Sequence, residues 1–511
     1  MKKALYFLFH RSTLIAFSLL TQIAIFVIMI VRFSEHTETF YWCCIIVSVI
    51  AALLIVGSRM DPAYKIAWLI LVLPFPVFGG ALYLLVGGGS VSKRLQNKMS
   101  GMLVKSFHTL KDDFKSDDLI PLGGNAAAQA NYLERNAACP AYTNTETEYF
   151  PLGDDAFPRM REELEKAEKY IFLEYFIIHP GVFWDTILEV LERKAAQGVE
   201  VRLLYDDFGC LFTLPKDYDQ LMEAKGIKCQ VFNRFIPVMS LRLNNRDHRK
   251  FMIVDGRVGF TGGINLADEY INVKERFGHW KDTVILLEGD AVWSMTVMFL
   301  TMWDNCANLN EDFDRFQPKP APARPWTGYV QPYTDTPLDH EAVGQTVYLN
   351  MISKAKKYIY ITTPYLIIDV ATNTALCNAA KSGIDVKIIT PHIPDKPYVF
   401  EVTRAHYAPL IEAGVQIYEY TPGFIHAKNF IVDGRFATVG TVNLDYRSLF
   451  LHFEDGVWLC EAPCIHDIVE DFQNTLAVSQ DCRQTIPRRI SSRHLLARVY
   501  RSVLRVFAPL M

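Results

Sequence analysis

The feature of this chain that most constrains its fold is a short polar pattern that occurs twice at a constant spacing. Each copy has a histidine, a lysine two positions later, an aspartate five positions after the lysine and an asparagine ten positions after the aspartate. These residues are His248, Lys250, Asp255 and Asn265 in the first copy and His426, Lys428, Asp433 and Asn443 in the second, 178 positions later throughout. A single histidine-x-lysine triplet arises by chance, whereas this repetition indicates two similar halves that build one site.

The repetition extends beyond the two motifs. A run rich in β-forming residues at 169–175 has a counterpart at 357–363, and a helix followed by a buried strand at 195–201 has one at 379–386. Strands that alternate with helices of this length predict βαβ units and mostly parallel sheets. The offset falls from 188 at the first strand to 178 at the motif, so the first half has extra residues near 234–247. The predicted fold class is α/β, with two duplicated βα sandwich lobes around a pseudo-twofold active site.

The two aspartates of the motifs follow short apolar strands. The runs 251–254 and 429–432 are each followed by Asp-Gly, which is a tight-turn signal. Asp255 and Asp433 are candidate catalytic residues because they belong to the motif, but a turn or scaffold role is favoured over direct chemistry. The small residues that precede Asn265 and Asn443 allow the backbone to approach closely.

Length and composition divide the chain into several units. A chain of 511 residues is too long for one ordinary hydrophobic core. A stretch with four prolines at 317–325 has the composition of a linker. The predicted units are two transmembrane helices at 1–60, a membrane-associated or re-entrant segment with a basic juxtamembrane stretch at 61–110, a first lobe at 111–316, the linker, a second lobe at 326–486 and a basic amphipathic helix at 487–511.

The N-terminal region has the composition of a membrane anchor. The uncharged apolar runs 13–31 and 40–56 both fall within the roughly 17 to 25 residues that cross a bilayer. A cleaved signal peptide fits the first run poorly, because no small-residue cleavage site follows it. A third run at 66–86 contains two prolines and a glycine pair, which favours a segment that re-enters or lies along the membrane and leaves a full crossing open. If it does not cross, the distribution of Lys and Arg places the catalytic lobes of this multi-pass protein in the cytoplasm.

The charge pattern and the cysteines bound the partners. A net charge of −4, from 52 basic and 56 acidic residues, gives no field that favours nucleic acid, and no such partner is expected. The arginine-rich amphipathic pattern at 487–511 suits either an anionic membrane surface or packing on the second lobe. The ten cysteines form no Cys-x-x-Cys pair and no zinc-ligand spacing with histidines, so we expect free thiols in a reducing compartment.

Two histidines, two lysines and two asparagines that converge suit a phosphodiester substrate. A neutral imidazole attacks phosphorus to give a phospho-histidine, and the opposite imidazole, when protonated, gives its proton to the leaving oxygen. The lysines and asparagines hold the non-bridging oxygens, where charge lies in the transition state. These predicted phosphate-binding residues are Lys250, Asn265, Lys428 and Asn443. No metal or cofactor is required by this chemistry.

Each histidine also needs a hydrogen-bond acceptor on its other ring nitrogen. Asp282 and Glu454 are the candidates, because both follow their asparagine at the start of the next apolar strand. The alternative is that both are solvated loop carboxylates.

These motifs identify the chain as similar to the phospholipase D superfamily, whose H-x-K-x4-D signature both copies match. Other stretches resemble bacterial cardiolipin synthases, and the resemblance extends from about residue 58 to the C-terminus. The stretches that carry it are 61–68, 76–80, 82–84, 245–250, 262–270 and 440–448. One departure is His452, where the family more often has asparagine.

The resemblance implies two phospholipase D-like lobes, preceded by transmembrane helices, that catalyse transphosphatidylation. One phosphatidylglycerol gives a phosphatidyl-histidine enzyme and releases glycerol, and the terminal hydroxyl of a second phosphatidylglycerol then attacks to yield cardiolipin. By analogy with the family, His248 is the nucleophile and His426 the acid and base, although the symmetry of the motifs leaves this order open in the sequence itself. Phosphatidylglycerol and anionic membrane lipids are the implied partners, and a bacterial plasma membrane is the implied location. An oligomer is compatible with the sequence.

Other activities use the same motifs. A membrane phospholipase D resolves the phospho-histidine with water, and a different transphosphatidylase uses another alcohol acceptor. A nuclease is disfavoured by the acidic balance and the apolar N-terminal runs. A non-catalytic membrane scaffold would leave two intact motifs without a use.

Overall fold

The computed structural model describes most of the chain. The described residues are 37–58, 60–74, 93–111, 116–234, 245–319, 328–339 and 341–483, with isolated positions before 37, at 83 and 322, and between 499 and 508. Several segments singled out in the sequence lie partly or largely outside these residues. They are the first apolar run at 13–31, the second half of the third run, the extra loop near 234–247, the proline-rich linker and the C-terminal arginine-rich segment.

Two large β-sheets form the centre of the protein. The strands in chain order are β1 Thr145–Phe150, β2 Tyr170–Tyr175, β3 Glu200–Asp206, β4 Lys228–Phe232, β5 Phe251–Val254, β6 Val258–Gly262, β7 His279–Lys281, β8 Val284–Gly289, β9 Tyr329–Asp335, β10 Tyr358–Thr362, β11 Leu366–Ile367, β12 Asp385–Pro391, β13 Gln416–Tyr420, β14 Gly423–Ile425, β15 Asn429–Val432, β16 Phe436–Gly440, β17 Leu444–Asp445, β18 Glu454–Cys460 and β19 Ser479–Asp481. The first sheet has the order β1-β8-β6-β5-β2-β3-β4 and the second the order β19-β13-β12-β10-β15-β16-β18-β9.

Helices flank these sheets. In chain order they are α1 Thr37–Gly57, α2 Pro62–Val72, α3 Lys93–Leu110, α4 Gly124–Ala137, α5 Gly153–Glu165, α6 Val182–Ala196, α7 Tyr218–Ala224, α8 Val292–Ala307, α9 Val343–Lys354, α10 Val370–Lys381, α11 Pro397–Ala405, α12 Tyr407–Glu412, α13 Tyr446–Phe450 and α14 Cys464–Ala477. Helix α8 has almost no polar face and is buried along most of its length, as expected for a helix enclosed by other elements.

The two sheets repeat one strand order. When β9, β18, β16, β15, β10, β12 and β13 are matched with β1, β8, β6, β5, β2, β3 and β4, neighbours in one sheet are neighbours in the other. The prediction of a duplicated α/β fold is therefore confirmed. The prediction of mostly parallel sheets is wrong, because within the two large sheets of the described residues only β2-β3-β4 and β10-β12-β13 are parallel and the other neighbouring strands are antiparallel.

The Asp-Gly turns explain why each motif strand is antiparallel to the strand that follows it. Asp255 and Gly256 have φ values of 53° and 65°, and Asp433 and Gly434 have values of 55° and 65°. Two successive residues with positive φ are what a type I′ hairpin turn requires. Each motif strand therefore reverses at once into its antiparallel neighbour, β5 into β6 and β15 into β16.

The two halves share a hydrophobic core. Buried side chains of both sheets, among them Phe172, Ile285, Ile361 and Val457, belong to one continuous apolar cluster. Strands β6 and β8 of the first sheet contact β16 of the second. Burying one such side chain is worth about 1.5–3 kcal/mol, so a shared core of this kind holds the motif strands of the two halves in fixed positions.

Helix α2, near the N-terminus, packs against the second half. Helix α2 starts at Pro62 with the Asp61 carboxylate as its N-cap, and its Tyr64 ring lies 5.6 Å from the ring of Tyr446 in α13. None of the helices in the described part of the chain combines the length and the apolar character that crossing a membrane requires. All cysteines among the described residues are free thiols.

Candidate active site

The backbone of each motif histidine is anchored to the opposite half of the protein. The N–H of His248 donates to the carbonyl of Phe453 at 2.9 Å, and the N–H of His426 donates to the carbonyl of Lys281 at 2.7 Å. Strand β14, which leads to His426, pairs in parallel with β7, and Asp247 forms a β-bridge with Phe453. The residue that follows each of these carbonyl groups carries an acidic side chain, so each half brings an acid to the histidine of the other.

His248 is held by Glu454. Its Nδ1 lies 3.0 and 2.9 Å from the two carboxylate oxygens, and the hydroxyl of Thr441 donates to the same carboxylate. Burial lowers the pKa of His248 to about 3, although Glu454 acts in the opposite direction. Burial alone would raise the pKa of Glu454, but His248 and His452 hold it well below its usual value. A neutral imidazole that donates from Nδ1 to a carboxylate keeps its lone pair on Nε2, which is the form that a nucleophile needs.

His426 is held by Asp282. Its Nδ1 lies 2.6 Å from the Asp282 carboxylate, and burial, together with Lys428, lowers the pKa of His426 to about 4. A Cβ atom on Gly263 would lie 1.9 Å from an Asp282 carboxylate oxygen, so glycine is required there for the acid to reach the ring. The corresponding position in the other half is Thr441.

The two motif lysines share one electrostatic environment. Lys250 donates to the carbonyl of His248 at 2.7 Å, and Lys428 donates to the carbonyl of His426 and lies 2.8 Å from its Nδ1. Burial lowers the pKa of both, that of Lys428 to about 7, while carboxylates of both halves, Glu454 and Asp282, raise it. Lys250 also lowers the pKa of Lys428, because one positive charge disfavours another nearby.

The two motif asparagines differ in their contacts. Asn265 accepts from the backbone N–H of Ile177 at 2.9 Å and donates to the hydroxyl of Tyr270 at 2.8 Å. The side-chain oxygen of Asn443 is buried and has no hydrogen-bond partner within the described residues. The asparagine of the second half therefore has more capacity left to bind a substrate group.

The structure does not bring the motif aspartates to the histidines. Asp255 accepts from the backbone N–H groups of residues 168–170 at 2.7–2.8 Å, and Asp433 accepts from those of residues 356–358 at 2.7–2.9 Å. Each lies at the end of the motif strand that points away from the lysine. The prediction that these two aspartates are catalytic is therefore corrected: three backbone N–H groups already occupy each carboxylate at the turn, which is the scaffold role.

The structure adds residues that sequence reasoning did not assign. Asp455 accepts from the backbone N–H of Lys250 at 3.1 Å and from the hydroxyl of Thr261. The ring of His452 lies 5.6 Å from the ring of His248, and its Nδ1 lies 3.6 Å from Glu454. The departure from the family pattern at His452 was a signal in the sequence, whereas nothing there placed it beside the histidine of the other half.

One group of side chains in the described residues has the composition of a metal site. The ligand atoms of His248, His452 and Glu454 all lie within 4.8 Å of one another. The remaining arrangement, two neutral imidazoles held by buried acids beside two lysines, is suited to nucleophilic attack on phosphorus with charge stabilisation at its oxygens.

Comparison with known proteins places this chain in a family. The family model "Cardiolipin synthase, PLD-like domain" matches residues 160–286 and 348–476, and the model "Phospholipase_D-nuclease N-terminal" matches residues 46–88. An uncharacterized protein of Streptococcus mutans serotype c is 44% identical over 90% of this chain and 99% of its own length. A cardiolipin synthase of Geobacillus kaustophilus is 34% identical over 90% of this chain and 91% of its own length.

The fold also matches a solved structure. A phosphatidylserine synthase from Haemophilus influenzae Rd KW20 superimposes with a TM-score of 0.57 over 75% of this chain and 99% of its own, at 13% sequence identity. At this identity the match concerns the fold. The two family-model segments cover both motif-bearing halves, and the Geobacillus relative extends the match over most of the chain. The chain therefore belongs to the cardiolipin synthase family of phospholipase D-like proteins.

Proposed function

We propose that this chain is a phosphatidyltransferase that makes cardiolipin from two molecules of phosphatidylglycerol, with glycerol as the second product. The observation that carries the proposal is the reciprocal pairing of His248 with Glu454 and of His426 with Asp282 at 2.6–3.0 Å. It places Nδ1 of each imidazole on a carboxylate, which favours a lone pair on Nε2, beside the two lysines. One imidazole can form a covalent intermediate while the other handles protons.

In the first step Nε2 of His248 attacks the phosphorus of one phosphatidylglycerol. The bond between phosphorus and the glycerol oxygen breaks, and His426 gives its proton to that oxygen. The resting His426 is neutral, since its pKa is about 4. An anionic phosphodiester bound beside the ring favours the protonated form, so His426 takes up its proton with the substrate.

In the second step the terminal hydroxyl of another phosphatidylglycerol gives its proton to His426 and attacks phosphorus. The bond between phosphorus and His248 breaks, and cardiolipin is released. Lys250 and Lys428 stabilise the charge on the non-bridging oxygens in both steps. The buried oxygen of Asn443, which has no hydrogen-bond partner among the residues described, can accept a hydrogen bond from a hydroxyl of the substrate headgroup.

We also propose that the N-terminal segment, with the predicted spans 13–31 and 40–56, holds the lobes on the cytoplasmic face of the bacterial plasma membrane. In support, α1 exposes large apolar side chains such as Trp42 and Leu53, which are 62% and 68% accessible. Helix α2 packs through Tyr64 on Tyr446, three residues after Asn443. A lipid that stays in the bilayer thereby reaches a site that lies next to the anchor.

Product analysis tests the proposed reaction. The purified full-length enzyme in vesicles of phosphatidylglycerol should release glycerol and form cardiolipin in equal amounts, and His248→Ala in the same vesicles should form neither. Phosphatidic acid as the main product would instead identify a hydrolase. Addition of free serine, whose hydroxyl is a second possible acceptor, tests the rival transferase, which would form phosphatidylserine in preference to cardiolipin.

A further inference from the structure

His452 has a side chain that the proposed reaction does not use. Both of its ring nitrogens are buried and have no hydrogen-bond partner within the described residues. Its Nδ1 faces Oε1 of Glu454 at 3.6 Å, which is too long for a hydrogen bond. An imidazole whose two nitrogens are buried without a hydrogen bond has lost hydration there, so it is suited to bind a ligand.

The distances around Glu454 match the coordination of zinc. Oε1 of Glu454 lies 3.0 Å from Nδ1 of His248 and 3.6 Å from Nδ1 of His452. A tetrahedral zinc ion with bonds of about 2.0–2.1 Å places its ligands roughly 3.3 Å apart, between these two values. The ligand atoms of all three side chains lie within 4.8 Å of one another, so a rotation of the two rings would bring them to this spacing.

We propose that His248, His452 and Glu454 form a binding site for a zinc ion that switches the enzyme off. The ion binds Nδ1 of His248, Nδ1 of His452 and a carboxylate oxygen of Glu454, and water fills the fourth position. Two imidazoles and one carboxylate are a common zinc ligand set. The ligands come from both halves of the chain, so their spacing in the sequence does not resemble a metal motif.

The inhibitory effect rests on the proposed role of His248 as nucleophile. When zinc takes Nδ1, the ring proton moves from Nδ1 to Nε2, and the lone pair that attacks phosphorus is lost. The ion also replaces the hydrogen bond that orients the ring through Glu454. Bound zinc and an active His248 therefore exclude each other.

The described residues around His426 offer no equivalent site. The residue two positions before Asp282 is Trp280, whereas the residue two positions before Glu454 is His452. The Trp280 ring lies 5.6 Å from His426 and offers no metal ligand. The expected stoichiometry at the active site is one ion for each chain.

Metal titration of the full-length enzyme in detergent, after removal of metal by a chelator, tests the site. Cobalt(II) should give visible absorption bands of a four- or five-coordinate ion at one equivalent, and zinc should displace it. His452→Asn, which introduces the residue more usual in the family, and His452→Gln should weaken zinc binding at least tenfold. His392→Asn is the matched control, because it removes a histidine that pairs with a different acid, Glu419, outside the active site.

Activity is measured in parallel, with each variant compared with its own metal-free rate. Zinc should inhibit the wild type and the His392→Asn variant at the concentrations at which it binds, and the His452 variants should resist it. Unchanged binding in folded His452 variants would overturn the site. Binding that depends on His452 but leaves the rate of the wild type unaltered would overturn the inhibitory role and count separately against His248 as nucleophile.

Discussion

The two halves of the active site share a backbone and differ in the side chains around their histidines. His248 lies beside His452, and its acid is a glutamate that also accepts from Thr441. His426 lies among the aromatic rings of Tyr270, Trp280 and Phe424, and its acid is an aspartate admitted by Gly263. Duplication accounts for the common frame, and these substitutions accompany the proposed division of labour between a nucleophile and a proton carrier.

The largest expected effects are those of the histidine variants, and a substrate with a good leaving group distinguishes the roles of the two histidines. His248→Ala and His426→Ala should each lower the rate with phosphatidylglycerol by about 10³-fold or more, because each removes a group that acts in both steps. With phosphatidyl p-nitrophenol, whose leaving group needs no proton, His426→Ala should release one nitrophenol for each enzyme in a burst. His248→Ala should give no burst. Equal bursts from both variants would contradict the assignment of roles.

Substitution of each acid should affect the histidine of the opposite half. In the His426→Ala background with the nitrophenyl substrate, Glu454→Gln should slow the burst by about 10²-fold, since it removes the acceptor that orients His248. Asp282→Asn in the same background should have little further effect, because its histidine is already absent. The burst rate decides between this crossed pairing and pairing within each half, for which the two results would be exchanged.

Gly263 and Thr441 occupy equivalent positions in the two halves, so substitutions there compare how each half holds its acid. Gly263→Ala forces its Cβ to within 1.9 Å of the Asp282 carboxylate, which must move away from His426, and the rate should fall by about 10- to 100-fold. Thr441→Ala removes one hydrogen bond to Glu454 and should cost about tenfold or less. Gly101→Ala in α3, where a Cβ meets nothing within 4 Å, is the control for the assay of steady-state rates. A larger loss for Thr441→Ala than for Gly263→Ala would contradict the steric reason given for the glycine.

The smallest effect is a pH dependence of substrate capture. Lys428 has a pKa of about 7, so it is charged below this pH and loses its charge as the pH rises. Between roughly pH 6 and pH 8 the loss of this charge should add about tenfold to the fall in kcat/KM that proton uptake by His426 produces, because the neutral amine no longer attracts the phosphate. Lys428→Arg keeps its charge over this range and should remove this added part of the fall. An unchanged fall in the arginine variant would assign this part to another group.

The sequence predicted the repeat, the α/β class and the turn at each Asp-Gly, because these depend on local residues and their spacing. The sequence did not predict that part of each sheet is antiparallel, since the direction of a strand depends on the pairing of segments far apart in the chain. The same limit applies to the crossed acids. Asp282 and Glu454 were recognised as candidates, but the partner of each is set by the pairing of β7 with β14 and of Asp247 with Phe453.

Three residues show what the sequence alone leaves out. The steric reason for Gly263 needs the position of the Asp282 carboxylate, and the contact of Asp455 with Lys250 needs the pairing of the two halves. His452 stood out as a departure from the family, and only its distance to Glu454 gives it a chemical role. Side chains that meet across about 200 residues of chain, as Asp455 and Lys250 do, leave no periodic signal.

The most direct test of the account is the location of the covalent intermediate. His426→Ala, treated with phosphatidyl p-nitrophenol and quenched in alkaline denaturant to preserve a phosphorus–nitrogen bond, should retain one phosphatidyl group for each chain. Peptide mapping by mass spectrometry should find this group on His248. Consumption of the substrate with no adduct, or with the adduct on a residue other than His248, would contradict the assignment of this imidazole, held by the acid of the opposite half, as the nucleophile.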